Sequence, residues 1–374
     1  MAFTVTPWEV SGAIDYDKLV EQFGVSRIGP GLLKRIEAHA AKKGLPLHHM
    51  LRRNIFFAHR DLKWILDEYE KGNRFFLYTG RGPSGSTHIG HLIPWLFTKW
   101  LQDVFDVELY FQLTDDEKFL FNPKLELEDT QRLAMENALD VIAVGFKQGK
   151  THIFSNTGYA KTLYPQACRV AKKLTFSTAK AVFGFGNDSN VGQIFFTSMQ
   201  AVPAFLPSVQ AGRNIPCLIP HAIDQDPHFR VTRDIMPRMG YYKPASVQCR
   251  FLPGLTEDGK MSASKADTAI YTTDDARTVR KKVLKHAFSG GQPTVEEHRA
   301  KGGDPDIDVS YQWLTFLEEN DAKLTQVYHD YKSGRLLSGE LKLMLVEKLN
   351  GLLTGHQKRR EQARKRLDDF WVKD

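Results

Sequence analysis

Apolar residues in this chain follow two alternating rhythms. Short, nearly continuous apolar runs occur at Phe75 to Thr79, Val107 to Leu113, His152 to Ser155, Pro216 to Pro220 and Ser246 to Phe251. Each suits a buried strand in length and in its flanking residues. Longer amphipathic stretches, such as the one containing Leu92 to Trp100, separate them. Strand and helix in alternation predict an α/β domain built on a doubly wound, Rossmann-like parallel sheet.

The pattern differs on either side of this region. Residues 1–72 mix a strand-like start (Phe3 to Val10) with helical stretches near Pro30 to Lys43 and Ile55 to Tyr69, and read as a cap on the sheet domain. Within residues 73–273, the stretch near 162–206 breaks the alternation and reads as an inserted helical and loop element. From residue 274 to 374 the spacing is helical. Asp274 and Asp275 suit an N-cap and first turn, and Val279, Val283 and Ala287 recur on one face. Further helices are predicted over Val309 to Glu319, Asp321 to Tyr331, Ser338 to Leu353 and Gln357 to Val372. The last of these could return to the sheet domain.

Composition narrows the class without fixing it. The 374 residues are enough for two or three domains, and 42% hydrophobic with 25% charged residues is ordinary for a globular protein. The net charge of +7 permits a polyanionic partner but does not require one. Cys168, Cys217 and Cys249 lie far apart, so neither a zinc site nor a disulfide framework is expected. Glu9, Asp15, Asp17 and Glu21 argue against a secretory or transit leader, and no apolar run reaches the ~18 residues of a membrane span. These features fit a cytoplasmic protein.

The chemistry concentrates after the strands. Thr79 to His91 reads TGRGPSGSTHIGH, a glycine-rich turn between a strand and a helix, which is the layout of a phosphate cradle. No Gly-Lys-Ser/Thr closes it and it lacks GxGxxG, so it is neither a Walker A loop nor a dinucleotide fingerprint. His88 and His91 fall on one face of the first helical turn. Two more polar strand ends, Gln112 to Lys118 and Ile219 to Pro227, would converge with it on one cleft. By itself, Gln112 to Lys118 also fits an ordinary helix start, with Thr114 as N-cap. Arg277, Arg280, Lys281, Lys282 and Lys285 crowd one helix, and Lys358, Arg359, Arg360, Arg364, Lys365 and Arg366 another. Such clusters can meet RNA phosphates or simply face solvent.

HIGH (His88–His91) followed by KMSAS (Lys260–Ser264) resembles the paired signature of class I aminoacyl-tRNA synthetases. Together with YTGRGPS, QLTDDEK, AIDQDPHFR and HAFSGG, it makes the chain similar to the tryptophanyl-tRNA synthetases of archaeal and eukaryotic cytosolic type. The likeness runs from about Pro7 into the C-terminal helices. It implies ATP-dependent activation of L-tryptophan through an adenylate, then transfer to tRNA(Trp). It also implies ATP and Mg²⁺ as a substrate complex, no tightly bound metal, a homodimer, and an anticodon-binding role for the C-terminal helical domain.

Carried onto this sequence, the resemblance implies catalytic roles for His88, His91, Lys260 and Ser262. It implies ATP contacts at Arg81, Gly82, Ser84, Gly90, Met261 and Ser264. The tryptophan pocket falls on Tyr78, Gln112, Glu117, Gln200 and Gln225, and tRNA contacts are expected at Arg280, Lys281 and Lys285. Indole has one N–H donor and no acceptor, so the Glu117 carboxylate or the Tyr78 oxygen suits it. Tyrosyl relatives commonly carry a basic residue after their Asp-Gln pair, where this chain has Asp226-Pro227. Nucleotidyltransferases of the superfamily usually lack KMSAS, and a non-catalytic descendant would be expected to lose the histidines or Lys260. Gln292-Pro293 departs from animal relatives and leaves the anticodon-reading residues open.

Overall fold

The computed structural model describes residues 4–5, 10–11, 15–256 and 266–374. A small antiparallel pair joins β1 (Thr4–Val5) to β2 (Val10–Ser11). The central sheet holds β3 (Ser26–Arg27), β4 (Phe56–Arg60), β5 (Phe76–Arg81), β6 (Leu109–Leu113), β7 (Thr151–Ser155), β8 (Cys217–Ala222) and β9 (Ala245–Cys249). Their spatial order is β3-β4-β9-β8-β5-β6-β7. From β5 the chain winds outward through β6 and β7, then crosses back to β8 and β9 on the other side. The reversal leaves a switch point between β5 and β8, where open α/β sheets bind ligands beyond their strand ends.

The five strands expected from apolar runs are present and mutually parallel. The whole sheet is mixed, because β4 pairs antiparallel with β9 and β3 antiparallel with β4. The helix expected over Ile55 to Tyr69 is therefore corrected. Phe56–Arg60 is a strand, and the helix Leu62–Glu70 starts only after Asp61 turns the chain at φ 52°. Phe56, Phe57 and Ala58 are buried on both sides of the strand, which gives the continuous apolar run of a covered strand. Residues before 72 thus belong in part to the sheet itself.

Four helices, Ala160–Ala171, Phe176–Phe183, Val191–Met199 and Leu206–Ala211, fill the connection between β7 and β8. They build a second apolar core around Leu163, Val170, Phe183, Phe196 and Phe205. Beyond residue 274 come the helices Ala276–His286, Val295–Lys301, Val309–Leu317, Asp321–Lys332 and Ser338–Ala363. The last is one helix of 26 residues where two were expected, since Gly351 and Gly355 do not interrupt it. Its buried stripe runs Leu341, Leu345, Leu349, Leu353, His356, Arg360 and Ala363, so packing continues past both glycines.

After that helix the chain returns to the sheet as an extended segment rather than a helix. The Ile153 N–H donates to the Phe370 carbonyl at 2.8 Å, and the Val372 N–H donates to the Ile153 carbonyl at 2.7 Å, alongside edge strand β7. The Asp374 carboxylate accepts from the Thr162 N–H and hydroxyl at the start of the Ala160–Ala171 helix. Among the described residues no helix is long and apolar enough to cross a membrane.

Candidate active site

A cavity of about 680 Å³ opens beyond the carboxyl ends of β5, β6 and β8. Arg81, Gly82, Ser84, His88, Gly90 and His91 line one wall; Glu117, Gln200 and Gln225 line another. Nine residues from four separate stretches of sequence therefore meet at the switch point.

The histidine wall is held from inside. Arg81, buried at the end of β5, donates to the Gly85 and Ser86 carbonyls at 3.0 and 3.1 Å and lies 3.0 Å from His91 Nδ1. The His88 backbone N–H also donates to His91 Nδ1, at 3.2 Å. An atom facing two donors must accept, so neutral His91 carries its proton on Nε2. The His88 and His91 rings lie 3.6 Å apart between centroids. Arg81 does not reach out as a mobile cation; its N–H groups are largely committed to the turn. Burial lowers its pKa, to about 10, which leaves it charged at neutral pH. Along the helix Ile89–Phe105, Pro94 has no N–H to give the Gly90 carbonyl, and both residues border the cavity.

The second wall centres on Glu117, buried at the start of the helix Asp115–Phe121. Its Oε2 accepts from the Thr114 hydroxyl at 2.5 Å and its Oε1 from Lys118 Nζ at 2.6 Å. Gly82 faces this pair closely: a Cβ there would lie 2.0 Å from Lys118 Cε and 2.8 Å from Glu117 Oε2. Only glycine fits without displacing them.

Tyr78 and Gln112 do not line the cavity; both are fully buried behind it. The Tyr78 hydroxyl donates to Gln112 Oε1 at 2.6 Å and accepts from Gln200 Nε2 at 2.6 Å. Gln200 does line the cavity, so it links the inner pair to the open space. Gln112 Nε2 donates to Asn156 Oδ1 at 2.8 Å, and Asn156 Nδ2 donates to Asp116 Oδ1 at 2.7 Å. Burial pushes the Tyr78 phenol well above its usual range and the Asp116 carboxyl up to about 7. Thr114, expected as an N-cap, instead gives its hydroxyl to Glu117, and Lys118 and Asn156 complete this network without having been singled out individually in the sequence. Lys118 sits inside the QLTDDEK stretch; Asn156, just after β7, carries no sequence signal.

In the third stretch, Gln225 faces the cavity, whereas Asp226 is fully buried and accepts from Arg60 Nε and Nη2 at 3.0 and 2.8 Å. Asp226 therefore ties β4 to the helix Asp226–Ile235. Lys260, Met261, Ser262 and Ser264 lie outside the described residues. Leu252 before them and Tyr271 after them both border the cavity.

The basic clusters divide. Arg280, Lys281 and Lys285 are exposed on the helix Ala276–His286. Lys282 is used internally, paired with Asp274 at 2.7 Å and donating to the Ala269 carbonyl. Arg359, Arg360 and Arg364 face the helix Leu127–Val144, where they meet the Ala143 carbonyl, Glu136 and Asp140. Much of the last cluster thus serves packing. All three cysteines are free thiols. Among the described residues no three His, Cys, Asp or Glu side chains group as metal ligands.

The chain matches the family of class I tRNA synthetases (W and Y) over residues 70–354. The tryptophan–tRNA ligase of Sulfurisphaera tokodaii is 52% identical over 370 residues, 98% of this chain and 95% of that protein. The crystal structure of Plasmodium falciparum tryptophanyl-tRNA synthetase superposes with a TM-score of 0.87 at 45% identity, covering 93% and 94% of the two chains. That of the Encephalitozoon cuniculi tryptophanyl-tRNA synthetase bound to tryptophan gives 0.87 at 38% identity, covering 97% and 99%. In sequence, in fold and in the residues gathered at its switch point, the chain belongs to the class I tRNA synthetases of the tryptophan and tyrosine group.

Proposed function

We propose that this protein is a tryptophan–tRNA ligase that joins L-tryptophan to tRNA(Trp) through a tryptophanyl-adenylate, releasing pyrophosphate and AMP. One observation carries the reading: a single cavity brings the His88/His91 turn face to face with Glu117, Gln200 and Gln225. A tyrosine-specific reading is not favoured, because relatives matching 98% of the chain at about half identity are tryptophan–tRNA ligases.

The attacking carboxylate is already anionic, so the first step needs no general base. The protein must align the carboxylate with the α-phosphorus and spread the charge that develops on phosphoryl oxygens. His88, His91, Ser84 and the backbone at Gly82 and Gly90 supply donors and close approach on the phosphate side. Arg81 acts from behind, holding His91 and adding positive potential. Lys260, with Met261, Ser262 and Ser264 of the KMSAS signature, is assigned a further cation for the phosphates. ATP enters with Mg²⁺, which neutralises part of the phosphate charge. On the amino-acid side the Tyr78–Gln112–Gln200 network offers the indole N–H an acceptor, while Glu117 and Gln225 suit the ammonium group. Transfer then moves the activated carboxyl to a ribose hydroxyl of the tRNA and releases AMP.

In this reading residues 73–273 carry the chemistry, with 1–72 covering and completing the sheet and 274–374 reading the tRNA. We assign the contacts with RNA phosphates to the exposed Arg280, Lys281 and Lys285. The enzyme works as a homodimer in the cytoplasm. ATP–pyrophosphate exchange with each of the twenty amino acids tests the assignment. Exchange should depend on tryptophan and Mg²⁺, and better exchange with tyrosine would overturn the substrate while sparing the fold.

A further inference from the structure

The turn that presents the two histidines rests on the C-terminal helix, although that helix never touches the cavity. One support is Asp140, on the helix Leu127–Val144, buried at 2% exposure. Its Oδ1 lies 2.9 Å from His356 Nε2 and 3.2 Å from Arg360 Nε, both on the helix Ser338–Ala363. The Thr87 hydroxyl, buried without an aligned partner, approaches the same carboxylate. Next to Asp140, Asn137 donates to the Gly85 carbonyl at 3.1 Å.

The other support is Thr272. Its N–H and hydroxyl both donate to the Thr87 carbonyl, at 2.9 and 3.2 Å. Gln357 Nε2, one residue after His356, donates to the Thr272 and Asp274 carbonyls at 2.8 and 2.9 Å. Ile89 and Ile270 are bonded at 2.9 Å in the same seam. One turn of the C-terminal helix therefore grips both braces of Gly85 to His88.

We infer that His356, through Asp140, and Gln357, through Thr272, are positioning residues for adenylate formation that tie the histidine turn to the C-terminal helical region. The inference rests on the reaction proposed above. Catalytic donors must sit within about 0.5 Å of their productive place, and a shift of ~1 Å can cost ~100-fold in rate. A buried carboxylate that loses one of its two cationic or N–H partners will turn toward whatever donor remains. Here the remaining neighbours are Arg360 and the Thr87 hydroxyl, so the turn itself would shift. Rigid-body movement of the helical region on binding RNA would reach the histidines by the same route.

The test is single-turnover adenylate formation, with tryptophan affinity and thermal unfolding measured in parallel. The variants are His356→Leu, His356→Gln and Gln357→Met. Leucine and methionine preserve bulk and remove the donor; glutamine restores an N–H close to the position of Nε2. His356→Leu and Gln357→Met should each slow adenylation by roughly 10- to 100-fold, with tryptophan affinity within about twofold of wild type. His356→Gln should recover most of the rate. Wild-type rates in both donor-less variants would overturn the inference. So would a parallel loss of rate, affinity and stability that His356→Gln fails to rescue. If His356→Leu does not fold, the half-buried Gln357 decides alone. A wild-type protein lacking tryptophan-dependent exchange would instead defeat the functional reading, and would do so before any variant is compared.

Discussion

Gly82→Ala separates function from stability at the centre of the site. The added methyl would stand 2.0 Å from Lys118 Cε and 2.8 Å from Glu117 Oε2. Restoring ordinary contact of about 3.5–4.0 Å requires the lysine tip to retreat by ~1.5–2 Å. That movement breaks its 2.6 Å bond to Glu117. The lysine and glutamate side chains are 27% and 11% exposed, so the pair is partly screened and its loss should cost the fold about 1 kcal/mol. Gly82 is not among the glycines with positive φ, so alanine returns about 0.4–1 kcal/mol by restricting the unfolded chain. The two nearly cancel, and Tm should move by no more than about 2 °C. The site fares worse, because Glu117 keeps only Thr114 to orient it. A charged hydrogen bond is worth about 1.5–3 kcal/mol, so tryptophan affinity should fall roughly 10- to 150-fold. Titration with tryptophan beside thermal unfolding gives both numbers. Unchanged affinity at unchanged Tm would show that the Glu117–Lys118 pair has no part in holding the amino acid.

Gly80→Ala should behave oppositely. Its methyl would meet the Gln112 backbone oxygen at 2.7 Å, where no side chain can yield, so β5 and β6 must part at about 1–3 kcal/mol, seen as a drop in denaturation midpoint. Neutralising Arg280, Lys281 and Lys285 together should raise the KM for tRNA several-fold and flatten its salt dependence, leaving tryptophan-dependent exchange intact; loss of both activities would mean the helix supports the fold. Asp116 has its carboxyl pushed from 3.8 up to about 7 by burial, so the native state binds more protons than the unfolded chain between those values. Stability from this group is therefore full at about pH 4 and is lost as pH rises through 7. Asp116→Asn should raise Tm by a few degrees at pH 8 and hardly at all near pH 4, as thermal scans at both pH values would reveal.

Most of the site was legible because its residues follow strands. Each strand end in a doubly wound sheet points at the same crevice, so the sequence alone brings Arg81 to His91, Glu117 and Gln225 together. Tyr78 and Gln112 were found as residue types, but their depth was not. Whether a side chain lines a cavity or stands behind its wall depends on the rotamer of a third residue, here Gln200. β4 hides in the sequence because Leu62, Ile65, Leu66 and Tyr69 have helical spacing, a rhythm that continues backwards across Asp61 into Phe56. A single left-handed residue divides the two elements, and aspartate gives little warning of it. The sequence predicts two helices on either side of Thr354 to His356, a span that holds Gly355, yet Leu353 and His356 are both buried and tertiary packing outweighs about 1 kcal/mol of glycine propensity. The Asp140–His356 contact spans more than two hundred positions and left no local mark in the sequence.

The return of residues 370–374 to β7 also bears on how the molecule is made. During synthesis β7 emerges long before its outer neighbour, and until Phe370 and Val372 arrive it presents an unpaired strand edge, the kind of surface that recruits other chains. The helix beginning at Ala160 likewise waits for the Asp374 carboxylate. A chain lacking residues 370–374 would contain every residue named at the cavity and still carry an open edge and an uncapped helix. Chains lacking these residues would carry, in that bare edge, the feature by which chaperones and proteases recognise incompletely folded protein.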